Sequence, residues 1–403
     1  FLTTNLLLYL LVISTVGFVL YARKREYYRM AWRQIRSKQM AMVCLGIVSL
    51  YAAIALLDSI HFQRRAYTED GRSLVSNNGQ PIYQAEILSL LDGLFNRLRS
   101  RTEKTFSAPF ATHQFVKEYV EVPDGKRIRD FPKLKYGGSH LPSLAQKPTD
   151  IAGLILKGLL LGLGLGGLFV GLTVAVPLVY CRLSQKPSEL SRAYTGLKTG
   201  LFLGTVIFLI ALVGELSTKY HVLGTDQVGR DVLFRALKGC RVGLIVGTLT
   251  TLIATPIAIL FGIMAGYFGG WIDDIIQYVY TTLNSIPGIL LIAAAMLIVT
   301  TRLQTAHTVY GADTRLVWLC VVLGIGSWTG LCRVLRGETL KIRENDYIQA
   351  SEAFGVSHLK IMFRHILPNV IHIVLITVIL RFSTLVLAEA VLAYVGIGVD
   401  PSM

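Results

Sequence analysis

Two charged residues inside an apolar stretch near the C-terminus are the first candidates for chemistry. Arg381 and Glu389 lie within residues 370–399, which are otherwise almost free of charge. Charged side chains cost free energy in hydrocarbon and usually face a bundle interior or water. Eight residues of helix separate the two by about 12 Å, so no direct pair is expected. Glu389 is expected either to have a functional role inside the bundle or to partner a neighbouring helix.

Motifs for catalysis and for nucleotide binding are missing from the sequence. It contains no H-E-x-x-H, no G-x-S-x-G and no G-x-x-x-x-G-K-[ST], and its eight histidines are scattered. A membrane-embedded enzyme would need acids or histidines clustered on one face, and the sequence shows no such cluster. We therefore expect no catalytic residue, no metal ligand and no cofactor on this chain.

A polar segment, residues 347–369, separates two apolar stretches and predicts a helical hairpin. Asp346 can cap a first helix, with Gln349 closing a capping box. Gly355 stands where a C-terminal cap needs a residue at positive φ. Ser357 can cap a second short helix, which is expected to end before Pro368.

The small residues of this hairpin favour a docking role. Ala350 and Ser351 would let another backbone come close, as at other tight helix contacts. The hairpin is therefore predicted to dock into a partner. The alternative is an ordinary cytoplasmic loop with two capped helices.

A second polar stretch, residues 221–239, predicts a turn followed by an amphipathic helix. Thr225 or Asp226 is expected to cap that helix, directly after Gly224. Its apolar and charged residues alternate at helical spacing: Val228, Val232, Leu233 and Leu237 against Arg230, Asp231, Arg235 and Lys238. Such a helix is expected to lie along the outer membrane face before the next span.

A third stretch interrupts an apolar segment at Asn284-Ser285-Ile286-Pro287. Pro287 frees a backbone carbonyl that needs protein or water as its partner, so this face is expected to point inward. Upstream, Gly269-Gly270 predicts a tight turn, and Asp273 and Asp274 open the next helix with a favourable charge for its dipole.

The elements that must position these residues are membrane-spanning helices. Of 403 residues, 53% are hydrophobic and only 16% are charged, a balance unlike that of a soluble domain. We predict an all-α polytopic membrane protein in which most spans approach or exceed the roughly 20 residues that cross a bilayer. The predicted spans are 2–21, 40–60, 151–180, 197–216, 242–268, 275–300, 316–331 and 370–399.

Loop charge predicts the orientation. The segments 23–38, 182–198 and 333–365 are rich in Lys and Arg, which is typical of cytoplasmic loops. The net charge of +15 is then explained by membrane topology and not by nucleic acid. Residues 61–150 are expected outside as an α/β or irregular insertion, with one helix around 85–98 and turns at 70–71, 77–79, 123–125 and 137–138. The insertion either contacts a binding protein or is a solvated addition.

Glycines at four-residue spacing mark the span 151–180. Gly158, Gly162 and Gly166 form one such series, and Gly167 and Gly171 form another. Small residues at this spacing predict close packing against a neighbouring helix.

The hairpin resembles the "EAA" coupling loop of ABC importer permeases. Gln349-Ala350-Ser351 stand at the E-A-A positions, Gly355 at the glycine, and Leu367-Pro368 at the closing Leu-Pro. Gln349 replaces the usual Glu, and His365 replaces the usual Ile. The resemblance implies an ATPase-coupling role for Asp346, Tyr347, Gln349, Ala350, Ser351, Glu352, Gly355, Leu367 and Pro368.

Residues 221–232 resemble the H-P-L-G-T-D-x-x-G-R-D-V signature of the oligopeptide/dipeptide/nickel branch of these permeases, with Val222 in place of Pro. The G-Y-F-G-G-W string at 266–271, the S-I-P at 285–287 and the glutamate-led run at 389–398 resemble the same branch. The resemblance implies an external segment near the translocation mouth, formed by Gly224, Thr225, Asp226, Gly229, Arg230 and Asp231. The pathway candidates are Asn284, Ser285, Pro287, Arg381 and Glu389.

The resemblance also implies partners and a cellular setting. It implies a type I ABC importer permease, similar to the second, "C-type" subunit, in the bacterial cytoplasmic (inner) membrane. Such a subunit pairs with a second homologous permease, two cytoplasmic ATPases that bind ATP and Mg, and an extracytoplasmic solute-binding protein. No nucleic acid is expected. The solute would be a peptide or a related compound such as a nickel chelate; the alternative is a membrane scaffold or receptor with an external ligand-binding domain.

The resemblance divides the chain, because it covers only residues 31–60 and 221–403. Residues 1–39 hold an extra span and a basic segment, and 40–60 form the first family-like span. The insertion 61–150 and two additional spans in 151–216 follow. Residues 217–403 form the permease core, with the external segment 221–239 and the coupling loop 334–369. A further span after Met403 and a few residues before Phe1 are also expected.

Overall fold

The computed structural model describes residues 3–24, 38–65, 83–121, 127–141, 143–184, 188–305 and 312–396, together with Glu26, Met30, Trp32, Gln34, Ile35 and Gly398. The helices in chain order are α1 Thr3–Lys24, α2 Gln39–Ser59, α3 Leu90–Leu94, α4 Asn96–Ser100, α5 Lys147–Ser184, α6 Ser188–Leu216, α7 Val232–Phe268, α8 Gly270–Ser285, α9 Gly288–Thr305, α10 Ala312–Ser327, α11 Thr329–Arg343, α12 Asp346–Ala353, α13 His358–Ile361 and α14 Leu367–Tyr394. The strands are β1 His61–Arg65, β2 Tyr83–Ser89, β3 Glu118–Glu121 and β4 Arg127–Asp130.

Long apolar helices dominate the described residues, so the predicted all-α polytopic class is confirmed. Within the residues that the structure describes, five helical segments are long and apolar enough to cross a membrane, or six if a bent pair counts as one span. They are Met40–Ser59, Leu144–Ala175, Val232–Phe268, Thr314–Arg343 and His358–Tyr394, with the bent pair Gly270–Ser285 and Gly288–Arg302. The apolar part of α6, Gly200–Leu216, is shorter.

The chain divides into two compact units, Val12–Cys240 and Phe1–Leu11 with Arg241–Met403. In the unit Val12–Cys240, α5 packs along α6 at the predicted glycines. A Cβ on Gly162 would lie 3.0 Å from the Phe208 carbonyl oxygen, and one on Gly166 would lie 2.7 Å from that of Gly204. Gly167 and Gly171 face open space, so only the first glycine series mediates close packing.

The described part of the insertion 61–150 contains two small antiparallel sheets, β1 with β2 and β3 with β4. The helix predicted around 85–98 is wrong in its first part, because β2 continues to Ser89 in register with β1. A capping box between Ser89 and Asp92 then starts α3. The predicted turns at 70–71, 77–79 and 123–125 lie outside the described residues.

In the unit with Arg241–Met403, α7 and α11 form the centre of the core. Gly262 and Gly266 of α7 bring the two helices together, since a Cβ on Gly266 would lie 2.7 Å from the Arg336 carbonyl oxygen. Around this contact pack Ala258, Ile263, Tyr267, Leu331, Leu335, Ile348, Ile361, Ile366, Val370 and Val374. This core supports the polar loop between α11 and α14.

Candidate functional site

The loop predicted to dock is fixed to the core by three isoleucines. Ile348 of α12, Ile361 of α13 and Ile366 are fully buried and join the cluster that contains Tyr267 and Leu335. Burying one such side chain contributes about 1.5–3 kcal/mol. The loop therefore has a defined conformation against the bundle.

A sharp bend at Gly355 separates α12 from α13. Gly355 has φ 72°, and its N–H donates to the Glu352 carbonyl at 2.9 Å. The Val356 N–H donates to the Ser351 carbonyl at 3.1 Å. These two bonds form a Schellman motif, which requires a left-handed residue at its bend. The positive φ predicted for Gly355 is confirmed.

The opposite side of this loop is exposed and carries large apolar groups. Phe354 is 87% exposed, Leu359 is 65% exposed and Tyr347 is 44% exposed. Asp346, Gln349, Ala350 and Glu352 are exposed beside them. Exposed apolar groups rimmed by polar residues are typical of a surface that another protein covers.

The predicted capping box of the first helix is wrong. Asn345 occupies the cap position of α12 and makes no side-chain cap bond. Asp346 is already inside the helix, where its charge suits the first turn. Gln349 donates instead to the Glu344 carbonyl at 3.1 Å. Ser357 holds the cap position of α13, again without a side-chain bond.

The predicted end of the second helix before Pro368 is also wrong. Helix continues from His358 to Tyr394 through a π-helical turn at Met362–Ile366. Pro368 is the second residue of α14, which begins at Leu367, and the first turn of a helix tolerates proline. The hairpin is therefore one short helix followed by the start of a long one.

Two side-chain contacts beneath the loop escaped sequence reasoning. Arg336 of α11 makes a bidentate pair with Asp273 of α8, with N–O distances of 2.5 and 2.6 Å. The hydroxyl of Tyr267 lies 2.8 Å from His358 Nδ1. Arg336 and Asp273 are 63 residues apart, so no spacing in the sequence relates them.

The interruption predicted at Pro287 is confirmed as a break between α8 and α9, which meet at 86°. The Thr329 hydroxyl donates to the Asn284 amide oxygen at 3.0 Å. The Ser285 hydroxyl donates to the Thr282 carbonyl. The polar side chains of the broken helix thus have partners within the chain. Residues 284–287 are exposed, and their inward orientation stays a prediction.

Arg381 lies in a small cleft, and the residues that line this cleft do not include Glu389. Its guanidinium donates to the Ser327 carbonyl, and the cleft is lined in part by Thr251, Thr255 and Trp328. Glu389 is half-buried further along α14. Whether either residue lines a pathway stays a prediction.

Residues 221–231, part of the segment predicted to be external, form a compact loop in the unit Val12–Cys240. Gly224 and Gly229 have φ of 77° and 74°, and backbone of Ser107 and Glu103 occupies the space where their side chains would stand. The Ser107 carbonyl accepts from the Thr225 N–H at 3.2 Å. Residues 103–107 of the insertion therefore pack directly against this loop.

The predicted cap at Thr225 or Asp226 is wrong, because the next helix starts later. α7 begins at Val232, where Asp231 Oδ1 accepts from the Leu233 and Phe234 N–H groups at 2.9 and 3.3 Å. Asp226 instead closes a turn by accepting from the N–H groups of Val228 and Arg230. The capping signal was correct in kind but misplaced by five residues.

The separate amphipathic helix expected before the span is also not formed. α7 runs as one helix from Val232 to Phe268. The charged residues Arg235 and Lys238 are in its first turns, and they pair with Asp226 and Asp92. These ion pairs are compatible with a continuous helix through residues 232–239, which the sequence pattern had placed in a separate helix along the membrane surface.

His221 is buried between two carboxylates in this region. Its Nδ1 lies 2.7 Å from Asp231 Oδ2, and its Nε2 lies 3.5 Å from Glu103 Oε1. Burial of the imidazole would lower its pKa, but hydrogen bonds and charge from Asp231 and Glu103 outweigh burial and raise the pKa to about 9. The imidazole is therefore a cation at neutral pH.

Glu103 is held as an anion by backbone amides. Its carboxylate accepts from the N–H groups of Lys135, Tyr136 and Gly137 at 2.8, 2.7 and 3.3 Å. Burial would raise its pKa, yet the hydrogen bonds from His221 and these amides lower it to about 2. Sequence reasoning missed Glu103, because nothing near it in the chain marks it.

Among the residues that the structure describes, no group of three or more His, Cys, Asp or Glu side chains could hold a metal ion. Many polar groups of both loops hydrogen-bond to one another or to backbone, whereas His221 Nε2 has only the ion-pair contact with Glu103. Their geometry suits protein docking and positioning.

Residues 258–402 match the family described as binding-protein-dependent transport system inner membrane component. This part of the chain is therefore similar to the permease domains of that family. The resemblance inferred from the sequence is confirmed. The match includes the docking loop, the α8–α9 break, Arg381 and Glu389, whereas the external segment 221–231 precedes it.

Permease proteins of peptide transport systems are among the relatives of this chain. An oligopeptide transport system permease protein of Mycobacterium tuberculosis (strain CDC 1551 / Oshkosh) is 34% identical over 191 residues, 47% of this chain and 62% of the relative. A dipeptide permease protein of Bacillus subtilis (strain 168) is 29% identical over 218 residues, 50% of this chain and 64% of the relative. A glutathione permease protein of Pectobacterium atrosepticum is 31% identical, with shares of 47% and 59%. The chain thus spans about three-fifths of the curated relatives it matches.

Proposed function

We propose that the chain is a membrane-spanning permease subunit of a binding-protein-dependent ABC importer. The observation that carries this proposal is the exposed apolar face around Phe354, on a loop that buried isoleucines fix to a permease domain. Such a face needs a protein to cover it. The position of this loop in the family's motif implies that the partner is a cytoplasmic ATPase subunit.

The other partners follow from the same family relation. A second homologous permease subunit would complete the translocation path, and two ATPase subunits would bind ATP and Mg. The chain itself is a transport subunit and not an enzyme, since its relatives are permease proteins and its sequence has no phosphate-binding loop. An extracytoplasmic solute-binding protein would deliver the solute at the external segment 221–231.

The mechanism we propose is alternating access. Closure of the ATPase dimer would push α12, which moves as one body with the start of α14 because Ile348 and Val370 share one core. The helices would then rock as units against the second permease. The bend at Gly355 sets the direction in which α12 presents its exposed side.

A peptide or a compound of peptide type is the proposed solute. The relatives named above transport oligopeptides, dipeptides and glutathione by their descriptions, which supports this class over a nickel chelate. Their description as permeases also favours transport over a membrane scaffold or receptor. The proposed location is the bacterial inner membrane, with the docking loop in the cytoplasm.

Two substitutions at Gly355 test the docking role. Gly355→Val places a β-branched residue at φ 72°, which costs roughly 1–2 kcal/mol or more. We expect uptake per ATP hydrolysed by the reconstituted complex to fall about tenfold, while membrane insertion stays normal. Gly355→Asn is the matched control, because Asn tolerates the left-handed region, and it should retain most uptake.

A second test removes the exposed apolar group without touching the fold. Phe354→Asp should weaken co-elution of the ATPase, because an aromatic contact is replaced by a charge. Wild-type uptake and wild-type co-elution in both Gly355→Val and Phe354→Asp would refute the docking role.

A further inference from the structure

The insertion places two buried acids against the start of α7. Asp92 and Glu103 have side chains only 3% and 2% exposed, and both belong to residues 61–150. Acids this deeply buried are rare unless they are paired. Each of them meets a cation that lies at or just before α7.

The first contact joins Glu103 to the N-terminus of α7 through His221. His221 bridges Glu103 and Asp231, and Asp231 caps α7 with its other oxygen. Glu103 is in turn fixed by the three amides of residues 135–137. The cap of α7 is thus connected to the backbone of the insertion by the His221–Glu103 ion pair and by charge-assisted hydrogen bonds on either side of it.

The second contact joins Asp92 to Lys238, seven residues after Asp231. The Lys238 ammonium lies 3.0 Å from Asp92 Oδ1. Asp92 is itself held by the capping box with Ser89. Seven residues are two helical turns, so the two contacts lie on one face of α7 about 10 Å apart.

Further hydrogen bonds join the insertion to residues 221–229 directly. The Glu103 N–H donates to the Gly229 carbonyl at 2.8 Å, and the Phe110 N–H donates to the His221 carbonyl at 3.0 Å. The Thr225 hydroxyl lies 2.9 Å from the Ser107 hydroxyl. Residues 103–110 therefore run directly against residues 221–229.

We propose that Asp92 and Glu103 are positioning residues, through which the insertion holds the external segment 224–231 and the first two turns of α7 in one conformation. Neither residue needs to touch a solute. The insertion is then part of the machinery that presents the outer mouth, and not a solvated addition. The transport consequence of this proposal rests on the proposed function; the conformational consequence does not.

Hydrogen exchange on the full chain in lipid nanodiscs tests the conformational part. Glu103→Gln and Asp92→Asn should each speed exchange of the amides of residues 225–236 by at least tenfold. Glu118→Gln is the matched control, because Glu118 belongs to the same insertion and its pair with Lys104 is exposed at 39% and 75%. Unchanged exchange in both test variants would overturn the proposal.

A double-mutant cycle keeps the test valid if a single variant folds poorly. Lys238→Met alone leaves Asp92 unpaired, whereas Lys238→Met with Asp92→Asn leaves no charge at this site. We expect the double variant to exchange more slowly than the sum of the single effects predicts. Additive effects would show that Asp92 and Lys238 do not act as a pair, and would overturn the second contact.

Uptake by the reconstituted complex tests the transport part. Glu103→Gln should raise the apparent KM for solute-loaded binding protein severalfold with little change in kcat, and Glu103→Asp should recover part of the loss. A fall in kcat with unchanged KM would contradict positioning of the outer mouth. If the variants change hydrogen exchange but the wild-type chain supports no uptake, the conformational proposal stands and the proposed function is refuted.

Discussion

At the scale of single residues, the charges buried around His221 are expected to set the local stability of residues 221–231. The imidazole faces Asp231 from α7 and Glu103 from the insertion, and Arg101 interacts with Asp231 from the segment before Glu103. Two anions are thus opposed by two cations, of which His221 is buried and Arg101 is partly exposed. Removing one of them leaves an uncompensated charge, which costs more than the pair itself contributes.

The raised pKa of His221 predicts a loss of protection at alkaline pH. A pKa raised from 6.5 to about 9 contributes stability that is complete below pH 6.5 and lost as the pH rises through 9. Between pH 7 and pH 10 the loss amounts to roughly 2–3 kcal/mol. Hydrogen exchange of the Phe110 and Thr225 amides, corrected for intrinsic rates, should therefore accelerate about 30- to 100-fold over that range.

The control for this prediction is His221→Gln, which cannot titrate. Its corrected exchange should be fast and nearly constant from pH 7 to pH 10. A wild-type profile that stays flat would mean that His221 does not change its protonation between pH 7 and pH 10, and would contradict the prediction. Glu103 affects stability at acidic pH. Because its pKa is lowered to about 2, the stability that its carboxylate contributes is complete above pH 4.5 and is lost as the pH falls toward 2.

At the scale of elements, close helix contacts and one ion pair position the docking loop. Gly262 and Gly266 bring α7 against α11, and Asp273 ties the start of α8 to Arg336 in the same helix α11. α11 leads directly into α12. The loop thus rests on three helices whose relative positions are set at its base.

The pair of Asp273 and Arg336 should matter for stability because both side chains are largely buried. Arg336→Lys removes the bidentate geometry, which a single ammonium cannot reproduce. We expect a loss on the order of 2 kcal/mol, seen as a lower thermal unfolding temperature in nanodiscs and reduced uptake. Lys341→Arg is the control, because its pair with Glu338 is exposed; equal behaviour of the two variants would contradict the prediction.

At the scale of the whole molecule, the charge pattern of the loops predicts which surfaces face the cytoplasm. Phe354 is in a loop rich in Lys and Arg, and Phe115 is in the long insertion. The charge rule places the first inside and the second outside. Both side chains are exposed, so cysteines introduced at these positions report the sidedness of each surface.

Thiol labelling of intact cells and crosslinking test this topology. In a background without the native cysteines, Phe115→Cys should react with a membrane-impermeant reagent and Phe354→Cys should not. Phe354→Cys should crosslink to an ATPase that co-purifies with the chain, and Phe115→Cys should not. Labelling of Phe354→Cys from outside would invert the proposed orientation.

Local signals in the sequence determined the helical class, the break at Pro287, the bend at Gly355 and the packing role of Gly158, Gly162 and Gly166. Each depends on a property of one residue or on a fixed helical spacing. Proline lacks an N–H, glycine accepts positive φ, and small residues four apart share one helix face. These properties belong to the residue type or to helix geometry and do not depend on distant contacts, so they can be predicted from the sequence.

Tertiary structure alone decided where helices begin and end and which charges meet. Pro368 did not end a helix, because a π-helical turn placed it in the first turn of α14. Asp231, and not Asp226, capped α7, because His221 and Glu103 fix the neighbouring backbone. Glu103 and His221 are 118 residues apart, and Asp273 and Arg336 are 63 apart. Contacts at such separations depend on the path of the whole chain, which no local pattern encodes.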